Sequence, residues 1–452
     1  MKQEASRMRS SRPGIPGAHA GEHVNVLCLD IGSTWTKGAL LSPAGDLLGT
    51  AQHPTTPPEV LQGIDAVAKA LGPAERTLAC SSAGGGLRLA VVGQERLVSA
   101  EAGYRVALSA GAKVVHVSAG PLDGAGIRAL RAAAPDVVLL VGGTDGGDQS
   151  VLLHNARRIG ANRIACPIVL AGNVEAQPEA VDLLAGRTVV PTANVLPDVG
   201  ELAPGPARAA IRDVFLEHVI GGKGLSRGPR FRGLVRAVTP DAVLSGVSRL
   251  AMQDREGAVL VVDVGGATTD VYSAVSTVEG PERTVALPPD RRTVEGDLGM
   301  RWSAPGVVAE AVAEKLIDKA EAAVLHEEAA ARAADVGWLP DDPTVDRRLA
   351  GLAAVLAIRR HLRLVDGRLG PQGAGLLVLS GGVFRHAEST SDIERVLRAD
   401  PVLRPILRNA AVTVDRDYVL APAGLLAEAG HTGAADRLLT SFPVTPPAPA
   451  AR

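Results

Sequence analysis

The feature that most constrains this 452-residue chain is an internal echo. "VLCLDIGSTWTKGALLS" at 26–42 returns as "VLVVDVGGATTDVYSAV" at 259–275. Each stretch starts as an apolar strand ending in aspartate, turns through a hydrophobe, a glycine and small residues, and resumes as a second strand. Asp30 and Asp263 stand 233 residues apart (263 − 30), about half the chain. A repeat of that length predicts two similar domains and not a solenoid of short units. The aspartates need explaining, because an isolated carboxylate at the end of a buried strand is costly. Each must be solvated, paired or bound to a metal.

Around the echo, strand-like apolar runs alternate with helical periodicity. Strands are expected at 24–30, 36–41, 46–51, 78–82, 113–118, 137–141, 168–170, 258–263, 268–273, 376–379 and 411–414. Helices are expected near 59–71, 97–110, 122–133, 148–159, 178–185, 205–220, 240–253, 305–332, 344–363, 391–398 and 422–429. Such alternation argues α/β layering. Residues 1–22 and 441–452 are polar or rich in Gly, Pro and Ser and read as disordered tails. Between them we expect a first domain over 23–235, carrying an α/β insertion, and a second over 236–440, with the boundary near "GGKGLSRGPRFRGLVRAVTP".

Composition narrows the function classes. Hydrophobic residues make up 46% and charged ones 21%, as in a soluble globular chain. Aromatics are only 2%, so Val, Leu, Ile and Ala must build the cores. A formal charge of −2, no basic run and few stacking rings argue against a nucleic-acid partner. The three cysteines, Cys28, Cys80 and Cys166, match neither a disulfide framework nor a CxxC site, which fits a reducing cytoplasm. The N-terminus lacks a signal-peptide apolar region, and no apolar run approaches a membrane span. The histidines show no metal-ligand spacing, and no Gly-x-Ser-x-Gly elbow occurs.

The two Asp-Gly hairpins make chemical sense as a pair. Glycine allows a tight turn whose successive N–H groups form an anion nest. The hydroxyls of Ser33, Thr34, Thr268 and Thr269 suit phosphate oxygens. Asp30 and Asp263 would repel phosphate unless a cation lay between them, and Mg2+ is usually held by one or two carboxylates, water and phosphates. Lys37 adds a compact positive charge. Either hairpin alone could be a turn with a solvated aspartate, since Asp and Gly are common turn residues. Their repetition favours a site. A third element, "GLLVLSGGVFRHAES" at 375–389, runs a strand into Gly381-Gly382, where backbone can approach a flat ring or sugar. In "VGGTDGGD" (141–148), Asp145 is a catalytic candidate and Asp148 reads as a helix cap. Glu295 and Asp297 in "EGDLGMRW" read as a turn or as neighbours of a ligand, and "CSSAGGGLR" (80–88) as an ordinary loop or as a backbone contact to a ligand or partner.

The order hairpin, hairpin, strand-Gly-Gly resembles the actin/Hsp70/sugar-kinase ATPase superfamily. The stretches "SSAGGGLRLAVVG" (81–93), "VVLLVGGTDGGDQSVLLHNA" (137–156) and "EGDLGMRWS" (295–303), with the two hairpins, carry a closer resemblance. It is to the glutamate mutase L (GlmL, MutL-type) family, accessory proteins of adenosylcobalamin-dependent mutases, over about 24–430. The resemblance implies two actin-like (ribonuclease H-like) domains with a nucleotide cleft that takes ATP and Mg2+. It implies that Asp30 organises the metal, with Gly32, Ser33, Thr34 and Lys37 around the phosphates. Gly265, Gly266, Ala267 and Thr268 would clasp them from the other side. Asp263 would hold the metal or orient the attacking water, and Gly381 and Gly382 would face the adenosine. Ala267 stands where many relatives have a third glycine, which implies slow turnover. No Asp-x-His-x-x-Gly is present to supply a lower ligand to cobalamin. The implied function is a chaperone-like ATPase, a reactivating or assembly factor whose partners are the mutase subunits. A small-molecule kinase and an actin-like scaffold or filament protein are the alternatives.

Overall fold

The computed structural model describes residues 24–82, 87–96, 98–110, 112–220, 229–253, 257–275, 290–365, 369 and 372–443. The expected N-terminal tail, residues 83–86 (Ala-Gly-Gly-Gly) and residues 444–452 lie outside these. Residues 441–443 are described, and Phe442 is buried in the core.

In chain order the strands are β1 (Val26–Ile31), β2 (Trp35–Leu41), β3 (Leu47–Pro54), β4 (Arg76–Ser81) and β5 (Arg88–Gly93). Then come β6 (Lys113–Ala119), β7 (Val137–Leu140), β8 (Ile168–Leu170), β9 (Val189–Pro191) and β10 (Val235–Val238). The last are β11 (Ala258–Val264), β12 (Thr269–Ala274), β13 (Asp290–Glu295), β14 (Ala374–Ser380) and β15 (Ala411–Val414). They form three sheets, β3-β2-β1-β4-β10, β13-β12-β11-β14-β15 and β6-β5-β7-β8-β9.

The first two sheets explain the echo. In each, three strands form an antiparallel meander and two more lie parallel to the first. Numbered within its own half, each sheet reads 3-2-1-4-5. This repeated α/β topology is the ribonuclease H-like, actin-like arrangement. The third sheet is wholly parallel, reads 2-1-3-4-5, and is inserted between β4 and β10. β10, which ends at Val238, is the last strand of the first sheet in chain order.

β1 and β11 are apolar throughout except for their aspartates because both faces are covered. In β1, Leu27, Leu29 and Ile31 pack toward the first half's own core, whereas Val26 and Cys28 join a core shared by both halves. In β11, Val259 and Val261 join that same shared core. Side chains alternate along a strand. Asp30 and Asp263 therefore share the parity of the faces that meet. The shared core is filled by the helices Thr239–Ala251 and Leu420–Glu428, which lie between the two sheets. They cross closely: a β-carbon on Gly246 would sit 2.1 Å from the Leu420 carbonyl oxygen, and one on Gly424 would sit 1.8 Å from that of Ala242.

Four strands, β5, β9, β10 and β13, were not expected from the sequence. The single helix expected over 305–332 is two, Ala304–Ala313 and Lys319–Ala334. The break comes where Lys315 adopts φ 57° and Asp318 caps the second helix by accepting from the N–H of Ala320 and Glu321.

Candidate functional site: two matched turns across a cleft

The two turns are built alike. Gly32 N–H donates to the Trp35 carbonyl at 3.0 Å, and Gly265 N–H to the Thr268 carbonyl at 2.9 Å. A β-carbon on Gly32 would sit 2.8 Å from Trp35 O, which is why glycine stands there. The turn carbonyls are taken up from behind. Thr55 serves the first turn, donating Oγ1 to Gly32 O at 2.9 Å and N–H to Thr34 O at 2.8 Å. Residues 300–303 serve the second: Met300 N–H reaches Gly265 O, Arg301 and Trp302 N–H reach Gly266 O, and Ser303 Oγ reaches Ala267 O. Among the described residues the N–H groups of Ser33, Thr34, Gly266 and Ala267 carry no hydrogen bond. Four donors thus stay free at the tips.

The tips meet. A β-carbon on Gly266 would sit 3.1 Å from Thr34 Oγ1, and that hydroxyl is buried with no partner. Beneath them a cavity is lined by Asp30, Lys37, Asp263, Arg385, Asp415 and Tyr418. Asp30 accepts from Thr239 Oγ1 at 2.6 Å, faces Lys37 in the β1–β2 register, and accepts weakly from the Cys80 thiol. Burial, reinforced by the charge of Asp263, holds its carboxyl above the usual carboxylate range despite Lys37 and Thr239. Burial alone would lower the Lys37 ammonium, but Tyr418, Asp30 and Asp263 together hold it above the ordinary lysine value. Its Nζ lies 3.6 Å from the centroid of the Tyr418 ring.

Asp415 follows β15 just as Thr239 follows β10, so the two halves place a polar residue at the same point. It accepts from the N–H of Val419 and Leu420. Burial first, and then Asp263, push its carboxyl up to about 6. Gly381 adopts φ 118°, and a β-carbon there would sit 2.3 Å from Val264 O. Gly382 faces open space, with nothing within 4 Å of its β-carbon position.

The structure therefore gathers Asp30, Gly32, Thr34, Lys37, Asp263, Gly265 and Gly266 at one place, with Ser33, Ala267 and Thr268 on the same turns and Gly381 against β11. Asp145 does not line this cavity; it sits in the turn that follows β7 of the inserted sheet. Its Oδ1 accepts from Val174 N–H at 3.0 Å and from Asn194 Nδ2 at 2.8 Å. Asp148 accepts from Ser150 N–H at 3.0 Å but stands one residue before the N-cap of helix Ser150–Ala161, which is Gln149. The Thr269 hydroxyl, expected to face phosphate, is buried and donates to Leu298 O at 2.7 Å. Period-two alternation turns it away from the cleft. Thr268 Oγ1 donates to Asp270 at 3.4 Å. Glu295 and Asp297 are both bound by Arg360. Sequence reasoning missed Thr239, Arg385, Asp415 and Tyr418; β15 was expected, and recognising β10 as its counterpart would have pointed to the residue after each, Asp415 and Thr239.

ATP and Mg2+ can be tested against these residues. Among the described residues no group of three or more His, Cys, Asp or Glu could hold a metal ion. Asp30 and Asp263 suit Mg2+ only in company with phosphate oxygens and water. The orphaned Thr34 hydroxyl and the free turn N–H groups are donors of the kind that phosphate oxygens require. The donor set fits.

Protein MutL of Clostridium tetanomorphum is 32% identical over 447 residues, covering 89% of this chain and 96% of its own. Among solved structures, nucleotide-free acetone carboxylase aligns over 90% of this chain and 70% of its own, at 12% identity and a TM-score of 0.37. A ROK family glucokinase from Streptomyces griseus, in complex with glucose and AMPPNP, aligns over 91% of this chain and 98% of its own, at 14% identity and a TM-score of 0.31. Structural likeness that distant carries no argument about activity. The model of the family described as MutL protein matches residues 26–442, and the chain belongs to that family.

Proposed function

We propose that this MutL-family protein binds Mg-ATP between its halves, hydrolyses it slowly, and couples the change to an adenosylcobalamin-dependent mutase. In that role it is a chaperone-like reactivating or assembly factor for glutamate mutase or an aminomutase, working in the cytoplasm. The observation that carries the nucleotide part is the meeting of the two tips, with a buried unpartnered Thr34 hydroxyl and four free N–H groups between them. The partner rests on the family resemblance.

In this reading Asp30 and Asp263 hold Mg2+, and Asp263 also orients the attacking water. Ser33, Thr34, Gly266 and Ala267 donate N–H groups to the phosphates, and Lys37 supplies charge. Gly382, facing open space, leaves room for the adenosine. Magnesium, when bound, neutralises phosphate charge that the aspartates would otherwise repel. The Ala267 methyl group narrows the second turn, consistent with slow turnover. This reading assigns no role to Asp145, whose Oδ1 accepts from Val174 N–H and Asn194 Nδ2 in the turn after β7. A shift between the halves about the crossed helices would reach the mutase only if the mutase bound the two nucleotide states unequally.

Calorimetry of the intact protein with ATP, with and without Mg2+, tests the first part. We expect uptake that depends on the metal; no heat in either condition ends the reading. ATPase rates with and without an inactivated mutase test the second. Stimulation with recovered mutase activity is expected, and absence of both would overturn reactivation.

A further inference from the structure

Tyr418 sits in a backbone conformation that a residue with a β-carbon adopts at a cost, φ 54°. The stretch 415–418, which leaves β15 and turns into helix Leu420–Glu428, is pinned on both sides. Asp415 accepts from the N–H of Val419 and Leu420. Arg416 Nη1 donates to the carbonyls of Arg385 at 3.0 Å and Ala387 at 3.3 Å. So held, the Tyr418 ring enters the cleft and meets two cations. Lys37 Nζ, from β2 of the first half, lies 3.6 Å from the ring centroid. Arg385 Cζ, from the second half, lies 4.7 Å from it. Arg385 also reaches back across the cleft, donating to Gln52 Oε1 at 3.3 Å and Thr50 Oγ1 at 3.4 Å on β3.

We propose that Tyr418 is a positioning residue that clasps the cleft. Its ring holds the Lys37 ammonium for phosphate and ties the first half to the second through Lys37 and Arg385. Cations are attracted to the face of an aromatic ring, and the more so when shielded from water. Lys37 is drawn by three partners, Tyr418, through its hydroxyl as well as its ring, and the carboxylates of Asp30 and Asp263. Without the ring it falls toward the carboxylates, the groups assigned to Mg2+. The ring therefore keeps the lysine from competing with the metal. This part rests on the nucleotide reading; the clasp between the halves does not.

The test uses the full chain and its Tyr418→Leu, Tyr418→Phe and Tyr418→Gly variants. Mg2+ is titrated at fixed ATP, and the ATP dissociation rate is followed. Tyr418→Leu should raise both the Mg2+ midpoint and the dissociation rate by about tenfold. Tyr418→Phe keeps the ring and should move both less. Tyr418→Gly relieves the left-handed strain while removing the ring, so it serves if the leucine variant does not fold, and the same increases are expected. A folded ring-less variant with the wild-type Mg2+ midpoint and dissociation rate overturns the proposal. If the wild-type protein takes up no ATP, the nucleotide reading has failed instead. X-ray scattering of the unliganded proteins then decides the clasp: ring-less Tyr418 variants and Arg385→Gln should be more extended than wild type, and equal dimensions reject it.

Discussion

Asp30 and Asp263 are each the one residue of an otherwise buried strand that is not fully buried. For Asp30 the charged form is held against its own desolvation, so its carboxylate works against folding in the absence of a cation. Asp30→Asn should therefore raise the melting temperature of the unliganded protein while weakening Mg-dependent ATP uptake by at least about tenfold. A variant that melts lower yet binds normally would show that Asp30 serves the fold. A second residue tests the core of the second half. His361 is buried against Thr293 Oγ1 at 3.1 Å and Ser273 Oγ at 2.9 Å. Burial, and then the charge of Arg291, lower its imidazole to about 3. The unfolded chain binds a proton near its ordinary value of about 6.5, where the folded protein does not. His361 thus contributes stability that is present above that value and lost as pH falls toward 3, at up to about 1.4 kcal/mol per pH unit. Denaturant titrations should show His361→Gln with a shallower loss between pH 6 and 4 than wild type; parallel curves would exclude the histidine as the cause.

The elements that bring the site together are the crossed helices, and their contact depends on two missing side chains. A methyl group at Gly246 or Gly424 would overlap the partner helix's backbone. Gly424→Ala should therefore cost about 1–3 kcal/mol, as overpacking does, even though alanine favours helix. Gly433, in the helix Thr432–Leu439, has nothing within 4 Å of its β-carbon position. Gly433→Ala should instead stabilise by about 0.5–1 kcal/mol through helix propensity. Urea titration of the two variants should give changes of opposite sign. At this scale the longer, strongly patterned strands and helices are legible in the sequence. β5, β9, β10 and β13 are not, because pairing partners, and not local pattern, decide their state. The break at Lys315 is hidden for the same reason, since apolar periodicity continues across it.

For the whole molecule, a ligand bound between the halves stabilises both at once. ATP at a hundredfold excess over its dissociation constant should add about 2.7 kcal/mol to unfolding. Chelating Mg2+ should remove that gain; a gain that survives chelation would count against the two-aspartate metal site. No described helix is long and apolar enough to cross a membrane.

By itself the sequence determined the local chemistry: two strand-Asp-turn units half a chain apart, the glycines of their turns, and the Gly381-Gly382 step. These follow from steric limits on backbone and from side-chain alternation, which act over a few residues. Only the tertiary structure decided which groups share the cleft. Thr239 lies 209 residues from the Asp30 it bonds, and Tyr418 and Arg385 reach Lys37 and β3 from the other half. It also tied Asp145 to Asn194 and Val174 beside the inserted sheet and turned Thr269 away from the tips. Contacts over such separations depend on how sheets and helices pack, and no local pattern of residues encodes them.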